Sequence, residues 1–302
     1  MTGRCILSVD VEEWFHILDV PSTPPISAWD ALPSTIEKNF RKLLELFARH
    51  QGQTTCFFLG WVANKYPHLV REASEQGHEI ASHGFSHTLA YEMTAEEFYQ
   101  DVKRSKEILE DISGKPVYGY RAPGFSVTNG TPWFFEALAK AGYSYDSSVF
   151  SGTRGHGGVR GARTTPHEIV TESGQRLIEF PVSMVKVISR NVCLFGGGYL
   201  RLFPWWLIRP SAKRLMKWGH PVIFYVHPRE IDSDHPRLPM SRTRAFKSYV
   251  NLKTTQQKLE RVLEQFHPIS FQEFLKQHGN DVVTQTLPLT PAVKARHAHA
   301  GK

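Results

Sequence analysis

The stretch His78-Glu79-Ile80-Ala81-Ser82-His83-Gly84-Phe85-Ser86-His87 is a short strand pattern that runs without a break into a loop carrying two imidazoles four residues apart. A helix pattern over Pro67 to Gln76 precedes it and is stopped by Gly77. Two imidazoles at this spacing can reach one point, and a carboxylate arriving from another element would complete a two-His, one-carboxylate set with open coordination positions. A structural zinc site would close with Cys or a further His, so an open set suits the activation of water. The spacing alone is weak evidence in a chain with 15 histidines, and the rest of the sequence has to raise it.

Working outward, the strand-then-loop unit recurs. Cys5-Ile6-Leu7-Ser8-Val9 reads as a buried strand whose end delivers Asp10-Val11-Glu12. Ser34 and Glu37 read as a capping box ahead of the helical pattern Phe40, Leu43, Leu44, Phe47, and Thr54 to Leu59 reads as the second strand. Thr94 and Glu97 cap a helix through about Ile112, and Thr131 to Ala141 forms another, stopped by Gly142. Leu177 to Pro181 and Val222 to Val226 read as later strands, the second ending at His227-Pro228. Short strands alternating with longer helices, without an internal repeat, predict a parallel α/β sheet or barrel. The Gly- and Arg-rich stretch Ser151 to Thr165 is expected to be a mobile loop, and Ile269 to Gln277 to close the domain. The expected organisation is one catalytic domain over 1–279 and a disordered tail over 280–302, which lacks a periodic apolar face.

The 302 residues suffice for one α/β domain with a sizeable core. The formal charge of +7 is spread among acids through most of the chain, which argues against a nucleic-acid partner. Cys5, Cys56 and Cys193 are odd in number and sit in apolar runs, so reduced, buried thiols are expected. Without a recognisable leader or spanning run, the expected location is the cytoplasm, with the inner face of the membrane as the alternative that one basic, aromatic run leaves open. The run Arg201 to Trp218 carries Arg201, Arg209, Lys213, Arg214 and Lys217 among Phe203, Trp205, Trp206, Leu207, Ile208 and Trp218 and has no acid. It reads either as a helix packed on the domain with a basic outer face or as a peripheral membrane contact.

Asp10/Glu12, Ser82-His83-Gly84-Phe85-Ser86-His87, Arg121-Ala122-Pro123-Gly124, Tyr145-Asp146-Ser147 and Val226-His227 follow one another in an order that resembles the polysaccharide deacetylases of the NodB-homology type, the carbohydrate esterase 4 group. The resemblance covers about Arg4 to Leu275 and looks closest to the branch found beside exopolysaccharide and surface-glycan genes. It implies a distorted (β/α) barrel of about seven parallel strands and a divalent metal, zinc with nickel or cobalt as alternatives, that serves removal of an acetyl group from a sugar. By position, His83 and His87 match the metal-binding histidines, Asp10 the base, Arg121 the arginine that holds it, and His227 the histidine of the last motif, expected to act as the acid. Pro123, Gly124, Phe125 and Asp146 are expected at the substrate. Two adjacent aspartates are usual in the first motif, whereas Val11 stands second here. In an extended strand Asp10 and Glu12 share a face, so Glu12 is expected as the third metal ligand, with Asp10 the alternative.

The expected substrate is an N-acetylated sugar, nucleotide- or lipid-linked. Two other readings stay open on sequence: an allantoinase-like hydrolase of cyclic amides on the same fold, and a glycan-binding module without catalysis. The second is opposed by the retention of Asp10, His83, His87, Arg121 and His227, since binding alone needs no proton-transfer set.

Overall fold

The computed structural model describes residues 5–152, 157–187, 190–283 and 286–288. Its strands are β1 Cys5–Val11, β2 Thr55–Phe58, β3 Glu79–Ser82, β4 Gly119–Tyr120, β5 Tyr145–Asp146, β6 His167–Val170, β7 Arg176–Glu179, β8 Met184–Val187, β9 Arg190–Cys193, β10 Val222–Val226 and β11 Thr286–Pro288. The helices are α1 Ile36–Arg49, α2 Gly60–Lys65, α3 Pro67–Glu75, α4 Ala95–Ser113, α5 Phe134–Lys140, α6 Gly197–Leu202, α7 Trp205–Lys217, α8 Arg242–Tyr249, α9 Thr255–Phe266 and α10 Phe271–Val283.

Nine strands form one curled sheet in the order β10-β1-β2-β3-β4-β5-β7-β6-β11. The run from β10 through β7 is parallel throughout, and only the β6–β7 pair is antiparallel. The mostly parallel sheet with helices outside is the distorted barrel that the resemblance implies. β8 and β9 make a separate antiparallel pair.

All of β1 is buried, as expected of a parallel strand covered on both faces. Its alternation sorts two cores. Cys5, Leu7, Val9 and Val11 join the outer core with Phe40, Leu43 and Phe47 of α1. Ile6 joins an inner cluster with Phe57, Ala81, Tyr145, Phe180, Ile223, Phe271 and Phe274. The period of two therefore directs Ser8, Asp10 and Glu12 to the inner side as well. The inner cluster is sealed from below by the segment entering α10: the Ile269 amide donates to Cys5 O at 2.9 Å, and Phe271 stacks on Tyr145 with centroids 5.2 Å apart. The apolar floor pushes the polar inner residues to the carboxyl ends of the strands, where barrels of this class place their chemistry.

Three local expectations change. The N-terminus of α1 is capped by Glu13, which accepts from the amides of Thr35 and Ile36 at 3.2 Å and from the Ser34 hydroxyl. Ser34 does not form a box with Glu37, whose carboxylate meets His68 instead at 2.7 Å. The segment expected as a tail begins inside α10, and β11 beyond it pairs with β6; residues 289–302 lie outside the described residues. In the expected mobile loop, Gly158 donates to Val127 O at 2.9 Å and Ser151 bridges Val159, while 153–156 lie outside the described residues.

Candidate active site

Strand ends β1, β3, β4 and β10 meet around a cavity of about 510 Å³. Asp10, Glu12, His83, His87 and His227 lie on its wall, together with Gly124 and Phe125.

The His83–His87 loop is held at both ends. Asp101 of α4 accepts from the Phe85 amide at 2.8 Å and the Ser86 hydroxyl at 3.0 Å, while the Gly60 amide at the start of α2 donates to Gly84 O at 2.8 Å. Gly84 has φ +75°, and a Cβ there would stand 2.9 Å from Asp101 Oδ2, so glycine is required. His87 itself sits at φ +55°, an uncommon conformation for a side-chain-bearing residue.

His83 donates from Nδ1 to the Arg121 carbonyl at 2.8 Å, which leaves Nε2 with its lone pair toward the cavity. His87 Nε2 lies 2.6 Å from Glu12 Oε2. One donor atom from each of Glu12, His83 and His87 lies within 4.8 Å of the others, all three residues being buried. Two imidazoles and a carboxylate at that separation fit a first-row divalent ion. Burial pushes the His83 imidazole down to about 4, so it is neutral and available as a ligand. Burial opposes ionisation of Glu12, but the His87 and His227 rings outweigh it and hold the carboxyl well below the usual range.

Asp10 has different company. Arg121 Nη1 donates to Asp10 Oδ1 at 2.6 Å and to Ser8 Oγ at 2.7 Å, and its Nε and Nη2 bind Ser147 O and Oγ at 3.2 Å. The guanidinium lies over the Phe57 ring at 4.2 Å, fixed between the inner apolar cluster and the cavity floor. His227 Nε2 lies 3.6 Å from Glu12 Oε1 and 3.9 Å from Asp10 Oδ2. Burial lowers the His227 pKa, yet Glu12 and Glu230 outweigh it and raise it above the ordinary imidazole value.

Residues 25–145 match the family model described as polysaccharide deacetylase. That stretch is similar to a polysaccharide deacetylase domain. Residues 147–276 match a domain of unknown function, DUF3473, which supplies His227 to the cavity. Similar curated proteins include the peptidoglycan deacetylase of Helicobacter pylori, 32% identical over 113 residues, 37% of this chain and 38% of that protein. The chitooligosaccharide deacetylase of Azorhizobium caulinodans is 31% identical over 80 residues, 26% of this chain and 38% of that protein. The chain thus spans under two-fifths of the length of either. Among solved structures, a Mycobacterium smegmatis protein assigned as a polysaccharide deacetylase aligns with TM-score 0.64 and 19% identity over 96% of this chain and 95% of that one. Puue allantoinase aligns with TM-score 0.57 and 14% identity, covering 91% and 90%. These two likenesses speak for the fold alone.

Two residues expected at the substrate stand elsewhere. Asp146 is fully buried and absent from the cavity wall, because Tyr145 and Ser147 take the inner face of β5 and turn it outward. It accepts from the Ser148 amide at 3.1 Å and hydroxyl at 2.5 Å and meets the buried Glu179. Pro123 is buried in the turn Pro123–Phe125, of which only Gly124 and Phe125 line the cavity. Sequence reading missed His16, Arg229, Glu230 and Arg201. His16 stacks on His87 with centroids 5.3 Å apart, and Arg229 Nε lies 4.0 Å from Glu12 Oε1. The three-residue spacing of His227 and Glu230 was a usable signal; Arg201, read with the basic run through Trp218, is buried instead and pairs with Glu230.

Proposed function

We propose that this chain is a metal-dependent hydrolase that removes the acetyl group from an N-acetylated sugar. The observation that carries the reading is the division of carboxylates on one strand face: Asp10 is bound to Arg121, and Glu12 to the histidine pair.

Glu12, His83 and His87 would hold the divalent ion, which supplies Lewis acidity toward water and the acetyl oxygen. Zinc is the proposed ion, with nickel and cobalt suited to the same donors. Asp10, kept ionised and aligned by Arg121, accepts the proton of the attacking water. As the acetyl carbon gains that oxygen and loses its bond to nitrogen, protonated His227 donates to the leaving amine, giving acetate and a free amino sugar. Gly124 and Phe125 shape the wall beside the reacting group.

Another part of the cavity wall suits a sugar bearing an anionic group. Arg244, Phe246 and Lys247 of α8 line it, Phe246 being 57% exposed as a platform for a ring face and Lys247 exposed beside it. We therefore propose a nucleotide- or lipid-linked intermediate of surface-glycan assembly, handled at the inner face of the membrane. No helix among the described residues is long and apolar enough to cross a membrane. α7 supports peripheral contact: Ile208, Ala212 and Met216 are buried, whereas Arg209, Lys213, Arg214, Lys217, Trp206 and Trp218 are exposed.

Acetate release by the purified chain across N-acetylated oligosaccharides and nucleotide- and lipid-linked sugars tests the reading. Turnover lost on chelation and restored by zinc is expected. Allantoin opening without acetate release from any of these sugars would overturn it.

A further inference from the structure

Glu230 contacts His227 twice with one oxygen. Oε2 lies 3.0 Å from His227 Nδ1 and also accepts the His227 amide at 3.0 Å. The 3-10 turn Pro228–Ile231 that follows β10 brings the carboxylate back over the ring three residues earlier. With Nδ1–H given to Glu230, the tautomer is fixed and Nε2 faces Asp10 and Glu12. The other oxygen, Oε1, forms an ion pair with Arg201 Nη1 at 3.2 Å, both residues being at least 98% buried.

Arg201 is itself built in. Its Nη2 donates to Lys247 O at 3.0 Å, and its carbonyl accepts from Lys258 Nζ at 2.7 Å and Asn251 Nδ2 at 3.1 Å. The same ammonium binds Leu200 O and Phe203 O, tying the end of α6 to α9. The backbone of Arg201 is thus anchored, and its buried guanidinium, held by the hydrogen bond to Lys247 O, faces Glu230 as its ion-pair partner. An ion pair serving stability alone could be replaced by apolar side chains at small cost; this one ends on a ring at the cavity.

We propose that Glu230 and Arg201 are positioning residues for His227: Glu230 fixes the ring with Nε2 toward the leaving group, and Arg201 holds the Glu230 carboxylate in place. The inference rests on the reading of His227 as the acid. It assigns a role to the DUF3473 segment, which contributes all three residues.

The test uses the full zinc-loaded chain and two substrates, an N-acetylated chitooligosaccharide and 4-nitrophenyl acetate, whose leaving phenolate needs no proton. Glu230→Gln is expected to lower kcat on the amide by about 10- to 100-fold, the range of losses for residues that orient an active group. Its KM and zinc stoichiometry should stay within about twofold of the parent, and ester turnover should be largely spared. Arg201→Met should show the same selective loss and Arg201→Lys a partial return. Adding Glu230→Gln to His227→Ala should cost nothing further on the amide. Normal amide turnover in Glu230→Gln would overturn the proposal, as would equal losses on both substrates with a fall in melting temperature. Normal amide turnover in His227→Ala would instead remove the acid reading beneath it.

Discussion

Arg121 and Asp10 form a buried ion pair at 2.6 Å, and Glu12, two residues on, faces His87 at 2.6 Å instead. Neighbours on one strand face thus carry separate tasks. Asp10→Asn should keep zinc stoichiometry and lose about 10²- to 10⁴-fold in turnover, as for loss of a general base. Glu12→Ala should weaken zinc by 10- to 100-fold or more. Both are read by metal titration beside acetate release. Metal loss in Asp10→Asn with retention in Glu12→Ala would exchange the two roles.

The acid should show in the pH profile. Burial alone would lower the His227 pKa, but Glu12 and Glu230 outweigh it and raise it above the ordinary imidazole value, which favours the protonated ring. A falling basic limb in kcat is expected above that value. His227→Ala should have low turnover with this limb gone. An unchanged limb in the variant would assign it to another group.

A second buried pair affects stability rather than turnover. Burial pushes Asp146 up to about 6, and burial beside Asp146 raises Glu179 well above the carboxylate range, so the pair shares a proton. A folded-state pKa above the unfolded one gives stability that is full below the unfolded value, near 4, and is lost as pH rises through 6 and beyond. Glu179→Gln can still accept from the Val149 amide and donate to Asp146 without charge. Urea midpoints between pH 5 and 8 should therefore fall more in the parent than in this variant. Parallel curves would show that the pair is not protonated in the folded state.

For α7, the expectation is salt-sensitive binding to anionic liposomes. Exposed Trp206 and Trp218 flank Arg209, Lys213 and Arg214, and Arg214 lies 4.5 Å over the Trp218 ring. Replacing the three cations by Gln should weaken co-sedimentation and leave acetate release from soluble sugars unchanged. No binding at low salt would end the membrane proposal.

Much of the fold was legible because alternation and capping are local. Cys5 to Val11 shows a period-two pattern ending in carboxylates, and other strand patterns end at His83 and His227, so a parallel sheet with chemistry at its carboxyl edge follows from the residues. The same alternation put Asp10 and Glu12 on one face. For Asp146 it was available and unused: Tyr145 and Ser147 claim the inner side.

What the sequence by itself determined is the set of strand ends and the residue types they deliver, because side-chain direction along a strand depends only on its own backbone. The tertiary structure alone decided which carboxylate meets which cation. Arg121 reaches Asp10 across β3 and β2, Arg201 reaches Glu230 from α6, and Glu13 caps α1 in place of Ser34. These partners lie tens or more residues apart in the chain or on elements whose order no periodicity encodes. Their energetics arise only once burial has removed water, which makes a pair of charges strong and an unpaired one costly.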